Sequence, residues 1–235
     1  MKKYQRPLLI LALFLAAFLR LWQLSDMPPA FYHDEAYNGL DALSLVQGKT
    51  FPQFYEGWEL YAQDAHADNP PRETRFPLFF EGNYGREPVH IYLMALSIKL
   101  FGATSFAIRL VPALAGIFAV FTTYLAAQAL LAGERGSGIG ERDALIPIFA
   151  AFTLAILFPA IHFSRFGLRS MLFVLVETLT IYFFWQGIDA SDESRHTTRH
   201  SPSNRRLAAT RRLWFMAAGF MLGLGLYVYA AGRLL

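Results

Sequence analysis

The chain contains no cysteine. That excludes disulfides and thiolate metal sites, and it leaves the redox compartment unreadable. Charge is also scarce. Only 17% of residues are Asp, Glu, Lys or Arg, against about a quarter in soluble domains. No internal repeat recurs at a fixed spacing, which argues against solenoid and propeller architectures. The Gly-rich stretch Gly136-Ser137-Gly138-Ile139-Gly140 follows no strand-like run, so it does not read as a phosphate-binding loop. Apolar residues are abundant instead: 54% of the chain is hydrophobic, 16% is aromatic, and mean hydropathy is +0.31. They fall in long runs, the pattern of a membrane protein rather than of a soluble core.

The runs set the expected spans. Met1-Lys2-Lys3-Tyr4-Gln5-Arg6 precedes an apolar stretch over 7–24. A basic start before an apolar run also opens a signal peptide. This run is long, carries Arg20 and Trp22 at its far end and lacks a small-x-small cleavage site, so it reads as an uncleaved transmembrane helix. Further spans are expected at 106–131, 144–161, 168–188 and 213–232. The patch from Val89 to Phe101 covers only about 20 Å of a hydrocarbon core about 30 Å thick, and reads as interfacial or re-entrant. The expected fold is an all-α integral membrane protein, a multi-span helical bundle with a large first loop, 25–105, that holds short juxtamembrane helices. The whole chain, 1–235, reads as the N-terminal part of one module, because it stops directly after a hydrophobic run.

Net charge is +3 with a pI of about 9.2, but the charge is segregated. Six arginines lie in 189–212, and eleven acids against four bases lie between Leu24 and Pro88. Arginines clustered beside apolar runs indicate membrane orientation, not nucleic-acid binding. Loops 133–143 and 189–212 then fall in the cytoplasm, with 189–212 read as disordered or loosely surface-bound. The acidic loop and the turn at 162–167 fall on the extracytoplasmic face of the plasma membrane. This topology collects Asp34, Glu35, Glu87, His90, Arg109, His162, Arg165, Arg169 and Arg233 on one side.

Asp34-Glu35 follows Pro28-Pro29 and precedes a helix-compatible run, which places the pair near a helix start, where carboxylates are favoured. A capping role explains that position. So does a second role, a carboxylate base at a partly dry surface with its pKa raised. Arg109, Arg165 and Arg169 fit interface snorkelling, and equally fit phosphate recognition, since a guanidinium grips phosphate oxygens bidentately. Arg233 joins them by position. Glu35, Glu87, His90 and His162 are candidate metal ligands, though at no close spacing. Glu177 lies in mid-span, where a carboxylate signals a buried partner or a cavity.

Several motifs occur in order along the chain: His33-Asp34-Glu35-Ala36-Tyr37 after the first span, Gly85-Arg86-Glu87-Pro88 before the aromatic amphipathic segment, Leu100-Phe101-Gly102 through Phe106-Ala107-x-Arg109-Leu110, and Ser164-Arg165-x-x-Leu168-Arg169. Together they resemble the membrane glycosyltransferases of the C-type fold, which include the protein O-mannosyltransferases and the aminoarabinose transferases that modify lipid A. The resemblance implies transfer of a sugar from a polyprenyl-phosphate donor to an extracytoplasmic acceptor, a glycan, lipid or protein. It maps the essential first-loop acid onto Asp34, with Glu35 beside it, and the conserved arginine onto Arg109. It also implies a divalent metal in some members. Two departures stand out. Glu87-Pro88 replaces a Pro-Pro or Lys-Pro pair, and no second carboxylate lies near Arg165–Arg169, the nearest being Glu177. The competing classes are a transporter or flippase for a lipid-linked substrate, which should place ionisable groups on broken mid-membrane helices, and a non-catalytic membrane assembly subunit.

Overall fold

A computed structural model of the chain describes residues 4–49, 76–80, 85–132, 145–196 and 202–229; between 190 and 207 only backbone is described. Arg233, the loop 133–143 and residues 50–75 and 81–84 of the acidic loop lie outside the described residues. Within them the chain is helical: α1 (Gln5–Leu21), α2 (His33–Gln47), α3 (Pro88–Phe101), α4 (Ser105–Ala132), α5 (Ile146–Ile156), α6 (Phe158–Ser164), α7 (Ser170–His196) and α8 (Pro202–Gly225). One antiparallel bridge pairs Phe80 with Arg86.

Small residues are prominent at the helix contacts, beside larger buried ones such as Leu9, Val120 and Ile148. Small residues are buried between helices: Ala12 and Ala16 on α1, Ala115, Ala119 and Ala126 on α4, Ala151 and Ala155 on α5. Large apolar residues of the same helices face outward, among them Ile10, Phe14 and Phe18, Phe118, and Phe149 and Ile156. In lipid there is no hydrophobic drive to bury a phenylalanine, whereas small side chains let backbones approach closely. The helices Ser105–Leu131 and Ser170–Asp189 are long and apolar enough to cross a membrane, and the bent pair α5 and α6 would make a third span.

Three expectations need correction. The stretch 144–161 is not one straight helix but α5 and α6, bent by 57° at Leu157. Pro159 is the cause, since it has no N–H to give the preceding turn. The stretch 189–212 is helical over most of its length, because α7 runs on to His196 and α8 starts at Pro202. Proline suits a first helical turn, and Arg205-Arg206-Leu207-Ala208-Ala209 are good helix formers. In the last stretch, 213–232, the helix stops at Gly225 and the chain continues as turns to Val228. The segment from Val89 is a short apolar helix, α3, closed by Gly102 at φ +80°.

One end of the bundle gathers the C-terminus of α1, the N-termini of α2, α3, α4 and α7, and the C-terminal end of α8. The Val89 amide donates to the Tyr227 carbonyl at 3.3 Å there, joining α3 to the turn after α8.

Candidate functional site

Helix α2 carries a polar ladder on its buried face. Glu35, Asn38 and Asp41 recur every three residues and point inward, with Ala42 and Leu45 continuing the stripe against α3. All three are held. Glu35 is fully buried; Arg109 Nε donates to its Oε1 at 2.7 Å, and the Tyr32 amide donates to Oε2 at 3.2 Å. Asn38 donates to the Gly167 carbonyl at 2.9 Å and accepts from Arg86 at 3.0 Å. Asp41 pairs with the other Arg86 terminal nitrogen.

The arginines divide by what they hold. Arg109, 1% exposed, also donates to the carbonyls of Pro28 and Ala30 at 2.9 and 3.0 Å and to Leu24 and Ser25 at 3.3 and 3.4 Å. Arg165 donates to the Leu19 carbonyl at 2.9 Å, and to Trp22, Met27 and Gln23 at 2.7, 3.1 and 3.3 Å. Of these carbonyls, those of Leu19 and Trp22 belong to the end of α1, which lacks helical donors. Arg165 therefore caps α1, and Arg165 and Arg109 together fix the chain that leads on to α2. Arg169 differs. It stands 3.3 Å from Glu87, lies 5.1 Å from the centre of the Tyr229 ring, and has no hydrogen-bonded partner among the described residues.

Arg169 lines a half-open cavity of about 640 Å³ at this end of the bundle. Asp34, about half exposed, lines it too, with Tyr32, Asn38, Arg86, His162, Phe163, Phe166, Ser170 and Tyr229. Its walls differ in character: Asp34, Arg86 and Arg169 supply charge, while Tyr32, His162 and Phe166 form a run of ring contacts, His162 to Phe166 at 4.7 Å and Tyr32 to Phe166 at 6.3 Å. The volume falls within the range of small-molecule sites.

Behind Arg169 lies the first turn of α3. Glu87 and His90 are 3% and 1% exposed. His90 Nε2 donates to the Gly167 carbonyl at 3.1 Å, so its Nδ1 carries the lone pair, and that atom has no hydrogen-bond partner among the described residues. Burial pushes its pKa down to about 4, with Arg169 and Arg86 adding to the fall and the Gly167 bond opposing it. His90 is thus a neutral imidazole at ordinary pH.

The structure brings Asp34, Arg169 and His162 to one cavity, with Glu87 and His90 just behind its wall. It turns Glu35 away, into the buried pair with Arg109, and it engages Arg109 and Arg165 with backbone carbonyls. Arg233 lies outside the described residues. Sequence reasoning passed over Asn38, Arg86 and Tyr229. Asn38 and Asp41 were findable from their three-residue spacing after Glu35; Tyr229 carries no local signal. Among the described residues no three His, Asp or Glu side chains gather to hold a metal ion. The four candidate ligands do not fit one, since Glu35 faces Arg109, Glu87 faces Arg169, His90 Nε2 faces a carbonyl and His162 makes tilted ring contacts with Phe158 and Phe166. Comparison with protein-family models, curated proteins and solved structures finds no match to this chain.

Proposed function

We propose that the cavity transfers a sugar from a polyprenyl-phosphate donor to an extracytoplasmic acceptor. The observation that supports this reading is that Asp34 and Arg169, whose guanidinium meets Glu87 at 3.3 Å without a hydrogen bond at Nε, line one half-open cavity. Asp34 takes the proton of the acceptor hydroxyl, the hydroxyl oxygen attacks the anomeric carbon, and the bond from that carbon to the phosphate oxygen breaks. The departing phosphate carries the electron pair toward Arg169. A single displacement inverts the anomeric centre, and a phosphate leaving group needs no strong general acid. Glu35, Arg109 and Arg165 hold the scaffold.

The arrangement in the membrane follows the charge rule. Spans near 7–24, 106–131, 144–161, 168–188 and 213–232 leave the arginines of 189–212 in the cytoplasm and the cavity on the outer face of the plasma membrane. The broken pair α5 and α6 is a feature transporters share. In transporters, however, the freed carbonyls face an ion or substrate, and here Arg20 occupies them. Purified full-length protein, incubated with labelled polyprenyl-phosphate sugars, should form product, and Asp34→Asn should abolish it. Undiminished transfer by that variant removes the mechanism, and movement of the lipid between leaflets without product favours transport.

A further inference from the structure

Arg20 is 0% exposed and belongs to no part of the mechanism above. Its surroundings are specific. Pro159 has no N–H for the Ala155 carbonyl, and the bend takes the Phe158 N–H from the Leu154 carbonyl. Arg20 supplies both: Nη1 donates to Ala155 O at 2.9 Å and Nη2 to Leu154 O at 3.0 Å. Its Nε donates to Ser164 Oγ at 3.1 Å, at the far end of α6. One guanidinium from α1 therefore holds both sides of the break. Gly116 on α4 leaves room for it, since a Cβ there would lie 2.2 Å from Ser164 Oγ and 2.8 Å from Arg20 Nε.

Helix α6 carries His162 and Phe163 into the cavity wall and leads directly to the turn of Gly167 and Arg169. We propose that Arg20 is a positioning residue for the cavity: it bridges the break between α5 and α6, replaces the donors that Pro159 withholds, and so sets the angle at which α6 presents the wall. A neutral side chain at 20 would leave one buried and one part-buried carbonyl without donors, and α6 would swing to find others. The inference concerns the cavity's shape and does not rest on what the cavity binds.

The chain's lack of cysteine gives a direct test. Ala160 on α6 is 6% exposed, so a cysteine placed by Ala160→Cys should react slowly with a maleimide in the otherwise unaltered 235-residue chain. Adding Arg20→Leu should raise the labelling rate at least about tenfold, which corresponds to roughly 1.4 kcal/mol of opening, and lower the melting temperature. Arg20→Lys should fall between the two. Adding Pro159→Ala to Arg20→Leu returns an N–H to Ala155, so the melting temperature should recover while the cysteine stays reactive, because the helix is then continuous and α6 misplaced. Unchanged labelling in Arg20→Leu overturns the proposal, as does recovery of both readouts in the double variant, which would make Arg20 a simple cap. If Arg20→Leu does not fold, Gly116→Ala carries the same test: it displaces the guanidinium without removing it, and unchanged labelling there is equally fatal.

Discussion

The pair formed by Glu35 and Arg109 allows an energetic prediction with a built-in control. Arg109→Met leaves a fully buried carboxylate without its cation and withdraws donors from four carbonyls. Breaking one partner of a buried pair costs about 3–5 kcal/mol. The carbonyls of Ser25, Pro28 and Ala30 are part-buried and can recover water, so they add roughly 1 kcal/mol together. Glu35→Gln is milder. It leaves Arg109 on its carbonyls and keeps an acceptor, at a cost of about 1–3 kcal/mol. In the double variant the buried charge is gone, so the combined cost should fall short of the sum by about 2 kcal/mol. Equilibrium unfolding in detergent micelles, with all four proteins in one double-mutant cycle, measures this. Costs that add to within about 0.5 kcal/mol would refute the coupling, and with it the reading of Glu35 as a scaffold residue.

Two further expectations concern the wall behind Arg169. His90 has a folded pKa of about 4 against about 6.5 unfolded. Between these values the unfolded chain holds a proton that the folded chain lacks, so stability should fall as pH drops from about 6.5 to 4, by at most on the order of 3 kcal/mol. His90→Gln keeps a donor for Gly167 and should flatten that slope in unfolding midpoints measured across the range; equal slopes would contradict it. At Gly167 a Cβ would stand 2.8 Å from both Glu35 Cγ and Ile108 Cγ2, so Gly167→Ala should cost about 1–3 kcal/mol. Gly219→Ala, with nothing within 4 Å, is the control and should be neutral or stabilising by up to about 1 kcal/mol in melting experiments.

Much of the helical plan was legible because apolar runs and breakers report it directly. The length of the Val89 segment and Gly102 after it gave a short helix, and Phe106 to Leu131 lies within α4. The bend at Leu157 was missed although Pro159 stood in plain sight, because a run of apolar residues on either side masks the loss of one N–H. The helical stretch within 189–212 was missed because charge suggested disorder, while the local propensity of arginine, leucine and alanine favours helix. For the candidate site, the acidic loop drew attention to Asp34 and Glu35 together. Neighbours on a helix point about 100° apart, so one reaches the cavity and the other the core; the inward spacing of Glu35, Asn38 and Asp41 was the signal that distinguishes them. That Arg109 and Arg165 would serve carbonyls of residues 19–30 was beyond reach, since such contacts join positions far apart in the chain and leave no local pattern.

The clamp of Arg165 on the end of α1 spans 146 residues, from Leu19 to Arg165. At about 5–20 residues per second, a ribosome needs roughly 7–30 s to make that interval. During it the end of α1 and the chain through Met27 lack the donor at 165. The cavity end of the bundle is thus completed late, and a nascent chain halted before the turn at 165 would already hold Glu35 through Arg109 yet lack the clamp on Leu19, Trp22 and Met27.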